Sequence, residues 1–372
     1  MNKSLIFSAP HETTFANISP VIDLLSDSLK LYYLCQCNYY KENEKICEKI
    51  SNNYELKVIC LKNPFNFTNF YNPSFLHRVF IKLYVKIFLT KKLRLVSFYI
   101  FCPGGLLEGT IAKLFYKHGK KTIMVEGGFP LDLINGRKTK VYQKVLLKYV
   151  KNHPINNPLK YISQLIVSGE FSKELRIKNG YEGYKIFDIG VPRNIILFNS
   201  QKNEDQYMYD FIFLTGSFHF HGDYENTIKQ RNYIKSLVEY STSNKKKLLI
   251  KVHPRDKDNY DSFQNKYVSI TNENLIKNIK LSKICLSFYS TAIYESIIIN
   301  TDAYFVGQRL NNAWPEEELI IHQEDFSILS KLLSKDIENN LNDKKNIAYR
   351  HISKDSIYSA EKIKKLIIED VV

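Results

Sequence analysis

A basic, histidine-containing segment in the second half of the chain has residue types that suit phosphate binding. The segment is Lys251-Val252-His253-Pro254-Arg255, and it follows a short apolar run. Pro254 ends the run and favours an extended backbone at His253. The imidazole of His253 can donate a hydrogen bond to a phosphate oxygen, while Lys251 and Arg255 can add positive charge. The alternative interpretation is a surface turn with incidental charge.

A serine and a threonine follow a later apolar run of the same half. Ser290 and Thr291 stand where a strand-like run ending at Phe288 passes into a helical pattern. Ser290 is predicted to cap this helix, and helix amino termini attract anions. Simple capping without a ligand is the alternative. Because this pair and His253 follow strands of one predicted sheet, together they predict one phosphate site.

A third segment of the second half, Thr215-Gly216-Ser217, also follows a strand-like run. Gly216 and Ser217 are predicted to contact the same phosphate or its nucleotide. His219 and His221 come shortly afterwards, but no third ligand stands nearby in the sequence. The sequence therefore predicts no metal site.

The first half offers an acidic residue after a strand-like run. Glu126 precedes Gly127 and Gly128, and glycines let a substrate approach the backbone closely. A carboxylate there can deprotonate a hydroxyl group. The alternative is a glycine-rich turn with an exposed glutamate. His11 and Glu12 follow the first strand-like run and are predicted to face the same substrate, with an alternative base role.

Short β-rich runs alternate with helical periods along the chain, which is typical of parallel, doubly wound sheets. The polar stretch 199–206 predicts a linker. We therefore expect an α/β protein with two tandem Rossmann-like domains and a cleft between them. The predicted domains are 1–195 and 207–355, with a terminal helix 356–372 that packs back on the first domain. Ligands of such sheets bind beyond the carboxyl ends of the strands.

The composition fits a globular protein of two ordinary domains. The chain has 372 residues and a formal net charge of +15, which favours anionic partners such as phosphates or lipid surfaces. A surplus of solvated surface lysines explains the charge equally well. No recognised nucleic-acid-binding module appears, so no nucleic-acid partner is expected. The cysteines form no CxxC pair, which favours reduced thiols over a zinc site.

The segment 78–94 combines basic residues with aliphatic and aromatic ones, RVFIKLYVKIFLTKKLR. As a helix it would have a basic face and an apolar face. One interpretation is peripheral contact with an anionic membrane surface. The other is an ordinary core-packed helix with solvated lysines. No run is long enough to span a bilayer and no secretory signal is evident, so a cytoplasmic location, or one at the inner membrane face, is predicted.

The order of these motifs resembles bacterial sialyltransferases and polysialyltransferases of the GT-B fold. That group has an acidic-residue–Gly motif, a His-Pro motif and a Ser/Thr motif, matched here by Glu126-Gly127, His253-Pro254 and Ser290-Thr291. The resemblance spans nearly the whole chain. The group has two acidic residues before the glycine, whereas here Val125 precedes Glu126.

The resemblance implies an inverting, metal-independent glycosyltransferase that needs no cofactor. Glu126 would be the base, and His253, Pro254, Ser290 and Thr291 would bind the phosphate of a CMP-sugar donor. The acceptor would be a surface glycan such as lipooligosaccharide or capsule. This glycan could be acidic or linked to a lipid. The HPR form also resembles capsule 3-deoxy-manno-octulosonic acid transferases and teichoic-acid glycerophosphotransferases. A CDP-polyol phosphotransferase, a UDP-sugar enzyme and a non-catalytic capsule-assembly protein therefore stay open.

Overall fold

The computed structural model divides the chain into two compact units, Met1–Ile195 with Ser353–Val372, and Ile196–Ile352. The residues described are 4–9, 12–35, 42–53, 56–60, 79, 83–93, 96–102, 106–127, 161–178, 180–200, 207–219, 223–256, 258–288, 290–306, 319–321, 326–334 and 341–369. The predicted linker 199–206 lies mostly outside them. Each unit is described below by itself.

The first unit is built on a seven-stranded sheet with the order β3-β2-β1-β4-β5-β6-β7. Every pairing in it is parallel. The chain runs outward from β1 in one direction and from β4 in the other, so the sheet reverses its order between these two strands. The strands are β1 Ser4–Ser8, β2 Lys30–Cys35, β3 Lys57–Cys60, β4 Phe98–Phe101, β5 Lys121–Val125, β6 Gln164–Ile166 and β7 Ile186–Phe187.

Alternating strand residues of this sheet enter two hydrophobic clusters, one on each face. Ile6, Tyr99 and Phe101 lie in one cluster, and Leu5 and Phe7 lie in the other. This burial on both faces explains why the strands are mostly apolar. The helices before the linker are α1 Glu12–Phe15, α2 Ser19–Leu25, α3 Glu42–Asn53, α4 Thr90–Leu93 (which continues a π-helical turn at Val85–Leu89), α5 Leu106–Lys117, α6 Glu170–Lys178 and α7 Ile195–Asn199.

The sequence pattern predicts one helix over Thr14–Ser28, and this prediction is wrong. The structure has two short helices there, α1 and α2, because Pro20 occupies the first turn of α2 and starts a new helix. Asn17 lies between them, fully buried, and its side-chain amide donates to the backbone carbonyl of Glu126 at 2.8 Å. The break therefore lets a side chain reach the end of β5.

The second unit is built on a six-stranded sheet with the order β10-β9-β8-β11-β12-β13, again with parallel pairings. Its order reverses between β8 and β11. The strands are β8 Tyr209–Leu214, β9 Leu248–Lys251, β10 Val268–Thr271, β11 Ser282–Ser287, β12 Asp302–Val306 and β13 Ile320–Ile321. The helices are α8 Tyr224–Ser243, α9 Leu275–Lys280, α10 Ala292–Ile298, α11 Phe326–Ser334 and α12 Leu341–His351.

The carboxyl-terminal segment returns to the first unit. A short 3-10 helix at Lys354–Tyr358 leads into α13, Ser359–Glu369. Ile363 and Ile367 of α13 are fully buried in the cluster that also holds residues of α2. Gly190 has a φ of 78° and lies so close to this segment that an added Cβ would stand 2.0 Å from the hydroxyl oxygen of Ser356. Glycine is therefore required at this close approach.

Candidate functional site

The carboxyl edge of the second sheet brings three predicted segments onto neighbouring strands. Thr215-Gly216-Ser217 follows β8, Val252-His253 follows β9, and Ser290-Thr291 follows β11. These strands flank the point where the sheet order reverses, and ligands of open parallel sheets bind at such points. The edge is thus the candidate site on topology alone.

Direct hydrogen bonds join two of these segments. The backbone N–H of His253 donates to the hydroxyl oxygen of Thr215 at 2.9 Å, and the N–H of Thr215 donates to the carbonyl of Lys251 at 3.1 Å. Thr215 is buried and therefore holds the two loops in register. Sequence reasoning treated Thr215 only as the neighbour of Gly216 and did not assign it a role.

The turn after β9 fixes the imidazole of His253. Its Nδ1 atom accepts a hydrogen bond of 3.1 Å from the N–H of Arg255, and its carbonyl accepts one of 2.8 Å from the N–H of Asp256. A nitrogen that accepts a bond carries no proton, so in this state the imidazole proton is on Nε2. His253 and Arg255 are half-buried, while Pro254 is exposed.

Lys251 is a buried lysine at this edge. Its side chain is 6% exposed, and Nζ donates to the carbonyl of Val252 at 2.8 Å. Burial lowers the pKa of Lys251. Among the residues that the structure describes, no carboxylate forms an ion pair with Lys251. A buried ammonium group of this kind costs stability, and an anionic ligand would compensate it.

The Ser/Thr pair begins α10 in a way that differs from the expected cap. Thr291 occupies the capping position without a side-chain bond, whereas the Ser290 hydroxyl oxygen accepts a 3.2 Å bond from the N–H of Ala292. Ser290 therefore bonds the second residue after it, in a local turn. Both residues are half-buried beside β11, and Ser287 of that strand donates its hydroxyl to the carbonyl of Leu214 at 2.9 Å.

A series of hydrogen bonds between mostly buried polar side chains supports the loops that follow β8 and β9. Sequence reasoning missed most of these side chains. The side-chain oxygen of Gln230, in α8, accepts from the N–H of Gly216 at 2.6 Å. Its side-chain nitrogen donates to the Tyr260 hydroxyl at 3.1 Å, which donates to Asp256 at 2.9 Å. Gln230 is 1% exposed. The position of Gln230 on the inward face of the amphipathic helix α8 was the sequence signal that could have identified it.

Gly216 leaves no room for a larger residue at its position. A Cβ atom added there would lie 2.7 Å from the ring of Phe218. The small residue thus allows the backbone after β8 to pass under that ring. Ser217 follows, half-buried. The aromatic ring of His219 lies 5.6 Å from that of Tyr224, and His221 is outside the described residues.

Glu126, the predicted base, follows β5 in the first unit and is buried at 1% exposure. One carboxylate oxygen forms an ion pair of 2.9 Å with Arg176. The other accepts bonds from the N–H of Ser168 at 3.0 Å and the hydroxyl of Ser172 at 2.8 Å. The alternative of an exposed glutamate in a turn is therefore wrong. An acceptor hydroxyl would have to share or replace these bonds.

Arg176 is a further residue that sequence reasoning missed. Burial lowers the pKa of its guanidinium, but the charge and hydrogen bonds of Glu126 and Tyr181 together outweigh burial and raise that pKa overall. Its charged group also stacks over Tyr181, with 5.4 Å between guanidinium carbon and ring centroid. Arg176 lies fifty residues after Glu126, so spacing gave no indication of the pair.

The remaining predicted residues of the first unit are only partly described. Glu12, in α1, forms an ion pair of 2.8 Å with Lys49, and both side chains are well exposed. Gly127 is half-buried directly after Glu126. His11 and Gly128 lie outside the described residues, so their predicted acceptor-side positions stay predictions.

The cysteines and the potential metal ligands of the described residues form no further candidate site. Within this part of the chain, Cys35, Cys47, Cys102 and Cys285 form no disulfide, and the Cys47 thiol donates a hydrogen bond of 2.6 Å to the sulfur of Cys35. Burial raises the pKa of Cys285 to about 12, so this thiol is protonated at neutral pH. Among the described residues, no group of three His, Cys, Asp or Glu side chains is arranged to hold a metal ion.

Comparison with known proteins gives the fold. No family model matches the chain, and no curated protein matches its sequence. Among solved structures, the chain is similar to Methanocaldococcus jannaschii UDP-GlcNAc 2-epimerase in complex with UDP-GlcNAc and UDP, with a TM-score of 0.61, 17% identity and coverage of 98% of this chain and 99% of that one.

Two further structures support the same conclusion. UDP-N-acetylglucosamine 2-epimerase from Rickettsia bellii has a TM-score of 0.56 at 13% identity, covering 99% of this chain and 97% of that one. A variant of the wall teichoic acid polymerase TagF with CDPG has a TM-score of 0.59 at 14% identity, covering 100% and 89%. The chain thus has the predicted α/β architecture of two Rossmann-like units, the GT-B fold.

Proposed function

We propose that this protein is a glycosyltransferase that takes a sugar from a cytidine-nucleotide donor bound at the carboxyl edge of the second sheet. The sugar is sialic acid or a related ulosonic acid, and the acceptor is a bacterial surface glycan such as lipooligosaccharide or capsule. The proposal rests on the resemblance of the motifs and on the geometry of the edge that holds two of them, His253-Pro254 and Ser290-Thr291.

One observation carries the proposal more than any other. Lys251 is buried without an acidic partner among the described residues, next to His253, whose imidazole proton is on Nε2. A buried lysine that lacks a compensating charge is costly unless a ligand supplies one. A donor phosphate would supply that charge, and the Nε2–H group would donate to one of its oxygens.

These groups account for the chemistry of an inverting transfer. An acceptor hydroxyl oxygen attacks the anomeric carbon, and the bond from that carbon to the phosphate oxygen breaks. The electron pair leaves with CMP, where Lys251, His253 and Arg255 stabilise the added negative charge. The hydroxyl proton goes to a base, for which Glu126 is the proposed group. Because lysine and arginine provide the charge, we propose that no metal ion is needed.

The second candidate is transfer of a polyol phosphate from a CDP-linked donor. Similarity to TagF with CDPG favours this candidate, and similarity to UDP-GlcNAc 2-epimerases brings UDP-linked substrates into consideration. CMP-, CDP- and UDP-linked donors all contain phosphate, which would bind at the same carboxyl edge of the second sheet. A non-catalytic protein of capsule assembly would bind nucleotide weakly or not at all.

A donor screen distinguishes these functions. The purified chain is incubated with CMP-sialic acid, CDP-glycerol or UDP-GlcNAc, with and without EDTA, and nucleotide release is measured. We expect release of CMP that persists in EDTA and increases with a glycan acceptor. Turnover confined to CDP-glycerol or UDP-GlcNAc would replace the proposed donor, and absence of turnover and of nucleotide binding would favour the non-catalytic alternative.

A further inference from the structure

The helical stretch whose described residues are 83–93, together with Val79, has two apolar faces. Val85, Leu89 and Leu93 are buried in the core of the first unit. Val79, Leu83 and Ile87 also recur every four residues, but they are 39%, 49% and 64% exposed. The inner face explains how the stretch packs. The outer face, defined here as Val79, Leu83 and Ile87, has no such role among the described residues.

The stretch is held firmly by its inner side. Lys120 donates from Nζ to the carbonyl of Leu93 at 2.7 Å and to that of Val96 at 2.5 Å, so it caps the end of α4. The Thr90 hydroxyl donates to the carbonyl of Lys86. Because these bonds and the buried face fix its orientation, the outer face is presented to the surroundings as a constant feature of the fold.

Charge determines which partner suits the outer face. The segment 78–94 contains six basic residues and no acidic one: Arg78, Lys82, Lys86, Lys91, Lys92 and Arg94. Lys86 is exposed beside Ile87. Exposed aliphatic side chains in a segment with this basic sequence match the surface of an anionic bilayer, where apolar groups enter the acyl boundary and cations meet the headgroups.

We infer that the outer face docks the protein on an anionic phospholipid surface. A peripheral contact of this kind needs no membrane-spanning segment, and no described helix is long and apolar enough to be one. The inference is independent of the proposed donor site, because the outer face belongs to the first unit and the phosphate-binding edge belongs to the second.

Vesicle sedimentation tests the inference with the full chain. The vesicles are phosphatidylcholine alone or phosphatidylcholine with phosphatidylglycerol, at low and high salt. We expect the wild type to sediment with the anionic vesicles and to be released by salt. The double substitution Leu83→Ser with Ile87→Ser is expected to weaken binding at least about tenfold. Lys86→Glu, which alters charge alone, is expected to weaken it by about tenfold.

The matched control replaces two exposed isoleucines elsewhere. Ile196 and Ile228 are 52% and 60% exposed in the second unit, and Ile196→Ser with Ile228→Ser is expected to bind vesicles like the wild type. Thermal unfolding verifies that each variant is folded. Undiminished vesicle binding by both the Leu83/Ile87 and Lys86 variants would overturn the inference. Failure of the wild type to bind anionic vesicles would also overturn the inference. So would wild-type dimers that are lost in the Leu83→Ser with Ile87→Ser variant.

Discussion

The Nδ1 atom of His253 accepts a hydrogen bond from the backbone N–H of Arg255 over 3.1 Å. This bond fixes both the ring orientation and the tautomer of His253, because an accepting Nδ1 leaves the proton on Nε2. The same loop is joined through its N–H to Thr215 at the end of the neighbouring strand. The Nε2–H group of His253 is therefore oriented before any ligand binds. Electrostatic catalysis at a phosphate requires hydrogen-bond donors that are oriented in advance in this way.

Two substitutions of His253 separate its loop bond from its donor role. Asparagine retains an acceptor near the position of Nδ1 but has no group at Nε2. We expect His253→Asn to keep a wild-type melting temperature while nucleotide release falls by about 10²–10³-fold, the effect of losing one catalytic donor. Glutamine reaches the Nε2 position, so His253→Gln is expected to retain more activity. Equal activity of the asparagine variant and the wild type would exclude the donor role.

Lys251 and Lys344, both buried in the described part of the second unit, form a natural comparison. Lys344 pairs with Asp302 at 2.5 Å, whereas Lys251 has no acidic partner among the described residues. We expect Lys251→Met to raise the free energy of unfolding by about 1 kcal/mol and to weaken nucleotide binding at least about tenfold. Lys344→Met is expected to lower that energy by about 3 kcal/mol, because it removes the buried ion pair with Asp302. Chemical denaturation and nucleotide titration measure both effects.

The stability difference between Lys251→Met and the wild type is expected to depend on pH. Burial lowers the pKa of Lys251 in the folded state, so the unfolded chain binds more protons between the folded pKa and the ordinary lysine value. The wild type should therefore gain stability relative to the variant as the pH rises through that interval. A pH-independent difference between the two proteins would contradict an uncompensated buried charge.

The ion pair of Glu126 and Arg176 is expected to stabilise the first unit whatever its catalytic role. Because both groups are mostly buried, Glu126→Gln and Arg176→Gln should each cost about 3 kcal/mol, and the double variant should cost less than their sum. The proposed role of Glu126 as the base predicts, in addition, a difference in transfer rate between the two single variants. At a temperature at which all variants are folded, Glu126→Gln should be slower than Arg176→Gln by about 10²–10⁴-fold. Equal transfer rates in these two variants would remove Glu126 as the base.

Gln230 is expected to act as a positioning residue for the phosphate-binding edge. Gln230→Leu leaves the N–H of Gly216 without its buried acceptor and breaks the series of hydrogen bonds through Tyr260 to Asp256. We expect a loss of about 1–3 kcal/mol of stability and about tenfold weaker nucleotide binding. Tyr260→Phe removes only the outer part of this series and should have a smaller effect. A Gln230→Leu protein that loses stability but binds nucleotide normally would limit Gln230 to a structural role.

The sequence was sufficient to predict strands β1 to β12, though not β13, and the segments that follow the strands of the second unit. Parallel strands buried on both faces are continuous apolar runs, so β5 at Lys121–Val125 was predicted with its observed bounds. Motifs that directly follow such strands must meet at one edge, which is why His253 and Thr215 come into contact. The start of β4 was predicted less accurately, at Leu95 where the structure has Phe98, because the apolar residues Leu95 and Val96 extend the run.

Long-range polar pairs were beyond prediction from one sequence. Arg176 and Glu126 are fifty positions apart, and Gln230 reaches Tyr260 thirty positions away. No periodicity encodes such contacts, because they depend on how helices pack against the sheet. The division of Thr14–Ser28 into two helices had a local signal in Pro20, but the buried contact of Asn17 with Glu126 did not.

Calorimetric titration of CMP into the protein tests the central claim most directly. Lys229→Met, which removes an exposed lysine of α8, serves as the charge-matched control. We predict that the wild type and Lys229→Met bind CMP alike, and more tightly than UMP, whereas Lys251→Met and His253→Asn bind it at least about tenfold more weakly. Absence of CMP binding by the wild type, or equal affinity in Lys251→Met, would contradict a cytidine-nucleotide site at this edge.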